Sequence, residues 1–223
     1  MDIYEKLKLL SYAVPYKENN MFSPYPLFSG NVVVTADKKF VELTEKNYYQ
    51  TINEHLNLIK EYSSNKKDKL LSIMIMMSSP YRLEFLNMIQ NDITQKELSE
   101  QLSWMWTDTE FPNQYPQKML IKLFRKTDKK LLMNKEEIEA YNALADEITI
   151  YRGLQTSRAK RLGLSWTLSK EKAQWFANRW KKKCKVYSAS IKKEDAFAYF
   201  KGRGEEEIVV DPRKLKEVKS VLE

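Results

Sequence analysis

The apolar period of this chain changes once, near Asp146, and that change does more than any other feature to limit the folds it can reach. Between Glu42 and Ile59, Leu43, Tyr48, Ile52, Leu56 and Ile59 recur every three to five positions, the spacing of one helix face. Past Asp146, Ile148, Ile150 and Arg152 alternate with Thr149 and Tyr151, the spacing of a strand. Helices first and strands afterwards is an α+β order. The expected division is a mainly helical region over 1–145 and a sheet-forming region over 146–223.

Local chemistry fills in that outline. Ser63 to Lys67 interrupts the first helical pattern, and Leu70 to Met77, apolar apart from Ser72, reads as a buried helix segment. Thr94 with Glu97 is a capping box, in which hydroxyl and carboxylate each satisfy a free amide; the helix it opens runs towards Trp106. Asp108 to Gln114 reads as a loop, and Pro116 sits at the start of a helix carrying Met119, Leu120, Leu123 and Phe124. Asn134 with Glu137 opens one more, through Leu144. Further on, strands are expected at Gly163–Leu168, Lys185–Ile191, Ala196–Phe200, Glu206–Val210 and Val218–Leu222. Ser169 caps a helix with Ala173, Phe176, Ala177 and Trp180 on one face.

An apolar share of 43% against 30% charged supports a packed core. Cys184 is the single cysteine, so no internal disulfide can form, and a reducing compartment is expected. No apolar run approaches the roughly 20 residues of a membrane span, and the start, Met1-Asp2-Ile3-Tyr4-Glu5, lacks the layout of a secretory signal. The expectation is a soluble, cytoplasmic protein. The net charge of +8 is uneven: residues 146–223 hold 19 Lys and Arg against 11 Asp and Glu, and residues 1–145 hold 19 of each. That excess would draw in an anionic ligand. Its plainer reading is a solvated lysine-rich surface.

Three signals lie in the basic part. Arg152 ends a strand and precedes Gly153; a guanidinium there can grip a phosphate through two donors, and a glycine lets a ligand approach bare backbone. Ser165 and Thr167 share one strand face, with Trp166 turned the other way, into the core or against a flat ring. Glu205, Glu206 and Glu207 crowd three carboxylates at the entry to an apolar strand, with alternation setting Glu205 and Glu207 on one face. Each also has an ordinary explanation: a surface ion pair, a half-buried strand, and salt bridges to Lys201 and Arg203. Other chemistries lack their residues. His55 is the lone histidine, which argues against a Ser-His-Asp triad or a histidine metal site. Cys184 among four lysines reads as an exposed bystander. No Walker loop or dinucleotide glycine fingerprint is present.

In order, Arg152, Ser165-Trp166-Thr167 and Glu205-Glu206-Glu207 resemble the R-S-E class of mono-ADP-ribosyltransferases, over about residues 146–222. The resemblance implies a mixed, split β-sandwich core with NAD as substrate and no metal. It implies that Arg152 holds NAD through phosphates and ribose, that the Gly153 backbone meets the nicotinamide amide, and that Ser165 orients the key carboxylate. Trp166, Thr167 and Phe176 fall in the same NAD-binding set. Glu207 matches the catalytic glutamate, Glu205 the residue that orients or deprotonates the acceptor, and Phe200 to Gly204 the substrate-recognition turn. A glutamate at Glu205 goes with arginine acceptors. Trp166 departs from the small or hydroxylated residue usual there. Residues 1–145 carry none of these motifs and would be a separate module, a target-docking surface or an inhibitory lid.

Loss of nicotinamide leaves an oxocarbenium-like ribose, and a fixed carboxylate stabilises that charge more in the transition state than in the ground state. The expected function is therefore NAD-dependent ADP-ribosyl transfer, with a protein target ahead of a nucleic-acid one, as in a toxin or effector working inside a host cell. The runners-up are a nucleic-acid-binding or host-interaction protein without catalysis, and an NAD glycohydrolase that gives the ribose to water.

Overall fold

The computed structural model describes residues 1–18, 24–35, 38–109, 114–154, 162–179 and 185–222, with backbone alone at Arg203 and Leu222. The chain divides into two compact units, Met1–Glu110 and Phe111–Glu223. Among the described residues, no helix is long and apolar enough to cross a membrane. Trp180 and Cys184, and Glu110 to Asn113 of the expected loop, lie outside the described residues.

The first unit contains α1 (Ile3–Ala13), β1 (Val32–Val34), β2 (Phe40–Glu42), α2 (Tyr48–Ser64), α3 (Lys69–Ile75), α4 (Ser79–Ile89) and α5 (Gln95–Asp108). Asp2 and Asp68 cap α1 and α3, and the Thr94–Glu97 capping box opens α5 as expected. Leu7, Ile52, Ile59, Ile73, Leu83, Phe85 and Leu102 fill the core, with Tyr25 and Tyr48 in ring contact at 5.2 Å. The hairpin is a departure from the helical expectation for this region. Val32-Val33-Val34 is β-branched throughout, which suits a strand, and it pairs antiparallel with Phe40–Glu42.

The second unit holds α6 (Gln117–Arg125), α7 (Lys129–Leu132), α8 (Lys135–Ala143), β3 (Glu147–Leu154), β4 (Ser165–Thr167), α9 (Lys170–Asn178), β5 (Lys185–Lys192), β6 (Ala196–Phe200), β7 (Glu207–Val210) and β8 (Lys216–Leu222). Helices packed with antiparallel strands make the protein α+β. The six strands form one sheet in the order β6-β7-β4-β3-β5-β8, and every neighbouring pair is antiparallel. That corrects the expectation of a mixed sheet. Helix α9 links β4 to β5, which flank β3 on either side and both run against it.

Two devices hold helices to this sheet. Ala173 and Ala177 of α9 pack with Val186, Tyr151 and Val221 on one face. Helices α6–α8 tie to the β6 end: the Tyr199 amide donates to Met133 Sδ, the Lys201 amide to Glu137 Oε1 at 2.8 Å, and Phe124 stacks on Phe197 at 5.4 Å. The helices expected around Pro116 and Asn134 therefore share a unit with the strands.

Candidate functional site

Arg152, Ser165-Trp166-Thr167 and Glu207 lie on three neighbouring strands, β3, β4 and β7, and Glu205 and Glu206 immediately precede the last. Thr167 is paired with Tyr151 of β3 on one side and with Glu207 of β7 on the other. Successive strand residues alternate between faces, so Tyr151, Thr167 and Glu207 share a face with Gly153, Ser165 and Val209, the face that α9 covers. Arg152, Trp166 and Ile208 start on the other.

Arg152 is buried, and its Nη1 donates to the backbone carbonyl of Ser165. The segment before β4 closes over it: a Cβ at Gly163 would stand 2.5 Å from the guanidinium carbon. Burial lowers the Arg152 pKa to about 10, opposed by the charge of Glu207, so the cation persists at neutral pH. A buried cation is expensive unless a carboxylate answers it. Here Arg152 pins β4 through its backbone and acts on Glu207 through charge.

The acidic triple does not follow strand alternation. Strand β7 begins only at Glu207, Glu205 closes a 3-10 turn, and Glu206 takes a positive φ of 48°. That φ corrects the expected alternation, because the chain reverses its twist between the two outer carboxylates. Glu206 pairs with Lys172 Nζ on the first turn of α9 at 3.2 Å, and not with Lys201. Glu205 and Glu207 are half-buried beside it. The backbone carbonyl of Glu205 accepts from Thr167 Oγ1 at 2.7 Å, and the same hydroxyl accepts from the Ser169 amide at 3.1 Å. Thr167 thus joins the acidic turn to the start of α9.

The remaining expected site residues separate into two groups. Ser165 lies opposite Val209, two positions from the Glu207 register, so the hydroxyl residue facing Glu207 is Thr167. Phe176 is half-buried on α9, edge-on to Trp175 at 5.1 Å. Trp166, expected among the NAD contacts, is a core residue with 2% of its surface exposed, and its Nε1 donates to the Gly163 carbonyl at 2.8 Å. Gly153 has a structural use. A Cβ there would fall 2.7 Å from the Ala177 nitrogen and closer still to the Ala173 carbonyl, so α9 fills the side that a ligand was expected to approach.

Lys172 and Gly163 complete the arrangement and escaped the sequence reading. Lys172 sits three residues past a recognisable N-cap, and Gly163 opens the expected strand, yet their partners Glu206 and Arg152 are distant in sequence. Among the described residues, no group of three or more His, Cys, Asp or Glu side chains could hold a metal ion.

As assembled, two half-buried carboxylates stand at the mouth of β7, backed by a hydroxyl, the Lys172–Glu206 ion pair and the field of a buried guanidinium. Such a set can stabilise developing positive charge and accept a proton. None of the family models, curated proteins or solved structures compared with this chain matches it.

Proposed function

We propose that this chain is an NAD-dependent mono-ADP-ribosyltransferase that modifies a macromolecular target and releases nicotinamide, using a split β-sandwich type of catalytic core. One observation carries the reading: residues up to 55 positions apart in sequence, Arg152, Ser165-Trp166-Thr167 and Glu207, lie on three neighbouring strands, with Glu205 and Glu206 in the turn that leads into the last of them. The donor set fits the ribose end of NAD better than its pyrophosphate. Glu205 and Glu207 are partly open, while Arg152 is enclosed by Gly163 and the Ser165 backbone.

NAD supplies an ADP-ribosyl group carried on a good pyridinium leaving group. Glu207 stabilises the positive charge that develops at the ribose carbon, as a carboxylate does in glycoside cleavage. Glu205 receives the proton that the attacking acceptor gives up. An arginine side chain is the acceptor this pattern favours. Thr167 holds the turn that carries Glu205, and Arg152 is a positioning residue whose charge steadies Glu207. Preorganised groups of this kind lower the barrier because they need no rearrangement as charge appears.

The test follows nicotinamide release and label transfer from NAD into a cell lysate. Glu207→Gln is expected to lower both by about 100-fold or more, the order seen when one preorganised stabilising group is lost, with unchanged circular dichroism. Unaltered release in that variant overturns the assignment. Release without transfer identifies a glycohydrolase.

A further inference from the structure

We infer that the solvent side of α9 binds single-stranded nucleic acid, with Trp175 as the platform on which a base stacks. Trp175 keeps 58% of its surface exposed, although tryptophan is among the side chains with most apolar area to bury. Two side chains of the same helix contact its indole. Phe176 meets it edge-on at 5.1 Å, and the Arg179 guanidinium lies 5.5 Å from the ring centroid. An exposed indole with a guanidinium over it offers a base a stacking surface and its phosphate a counter-charge.

Charge selects the partner. Phe111–Glu223 contains 26 Lys and Arg against 15 Asp and Glu, a net of +11, whereas Met1–Glu110 contains 12 against 15, a net of −3. The excess reaches the α9 side of the sheet. Lys219 is exposed and pairs in register with Ser188, beside Val221, which packs on α9. Lys170 is exposed at the start of the helix. Glu171, one turn before Trp175, is an exposed carboxylate that its own backbone amide and Ser169 Oγ, at 3.0 Å, keep ionised, so the counter-charge for phosphate lies on the Arg179 side of the ring. An acidic polypeptide would answer the charge but brings no regular succession of flat rings for Trp175. A single strand brings both, and a duplex hides its base faces.

The inference goes beyond the transferase reading and needs no NAD. An arginine acceptor on a protein of a nucleoprotein complex would satisfy both.

The test is fluorescence anisotropy of end-labelled oligo(dT) and oligo(U), about 12 nucleotides long, titrated with the full chain at low and moderate salt. A duplex of equal length and poly-glutamate are the comparison arms. The expected result is salt-sensitive binding of at least one single strand, ahead of duplex and poly-glutamate. Trp175→Ala should weaken it roughly ten-fold or more, the scale of one lost base stack. Trp175→Phe should retain most of it, and Arg179→Ala should weaken it less than Trp175→Ala. Absent binding, wild-type affinity in Trp175→Ala, or equal affinity for poly-glutamate overturns the inference. The oligo(dT) and oligo(U) arms assign DNA or RNA. Nicotinamide release, followed in the same samples, should be equal in wild type and Trp175→Ala. Its absence from the wild type would reject the transferase and leave the binding result standing.

Discussion

The two units bury polar groups in opposite ways. Among the described residues, those buried in Met1–Glu110 are all uncharged: Ser11, Thr51, Ser63, Ser72, Gln90, Ser99, Gln101 and Thr109. Six of them bond a carbonyl four residues back on their own helix, as Ser11 Oγ does to the Leu7 carbonyl at 2.8 Å, and Ser63 Oγ also meets Tyr4 Oη at 2.7 Å from 59 residues away. Phe111–Glu223 buries Thr167 and Ser188 and also three charged residues, Glu137, Arg152 and Asp211, each of the three joined to a residue 13 to 86 positions away. A local hydroxyl bond returns to the turn that made it, so it contributes little to fold choice. A buried charge is costly without its partner, so it penalises every arrangement that separates the two. The first unit thus joins its apolar core with uncharged buried bonds, and the second adds buried charges that tie distant segments together.

Gly153→Val gives the sharpest contrast. The new side chain would meet α9 backbone, which cannot move aside as a flexible side chain can. A loss above about 4 kcal/mol is expected, in the range reserved for severe overpacking and strain. Amide exchange should rise across β3, β5 and α9 while α2 and α4 keep wild-type protection. Equal loosening of both units would break the contrast.

Matched truncations come next. Glu137 accepts from the Asn134 amide at 3.0 Å and the Lys201 amide at 2.8 Å, so Glu137→Ala strands two donors, one of them 64 residues away. About 3 kcal/mol should be lost on denaturant unfolding, charge-assisted bonds contributing roughly 1.5–3 each. Ser11→Ala removes the bond to the Leu7 carbonyl at 2.8 Å and should cost under about 1 kcal/mol. If the serine truncation matched the glutamate one, local bonds would weigh as much as distant charges.

The same contrast explains what was readable in the sequence. The capping box at Thr94, the capped helix at Asn134, the N-cap at Ser169 and the strand Ala196–Phe200 depend on residues within a few positions, and each formed as expected. The pairing of Thr167 with Glu207 is set by how β4 lies against β7, which alternation within either strand does not fix. The positive φ of Glu206 likewise breaks a pattern that is valid only inside a strand. Gly153 was legible as special, but its reason lies in α9, some twenty residues on. Val32-Val33-Val34 announced a strand through its β-branching, and a helical reading of the whole region passed over it.

Acidification should act on the units in sequence, with the smallest effect first to appear. Burial lowers the His55 pKa below its ordinary 6.5, against the weaker opposing pull of the Thr51 carbonyl bond. A base with a depressed folded value is neutral in the fold and takes up its proton more readily when unfolded. Its contribution is therefore complete above pH 6.5 and falls away as pH drops through the folded value. Asp211, held down chiefly by its bonds to Arg213, is an acid with a depressed folded value; its contribution is complete above about 3.8 and fades only below that. Between pH 6.5 and 4, exchange protection should therefore decline in α2, where His55 packs edge-on to Phe28 at 4.6 Å. β7 should hold its protection over that range. His55→Gln should flatten the α2 profile and leave β7 unchanged. An unaltered profile in that variant would assign the acid sensitivity to carboxylates, and the two units would then differ in their buried charges but not in their response to pH.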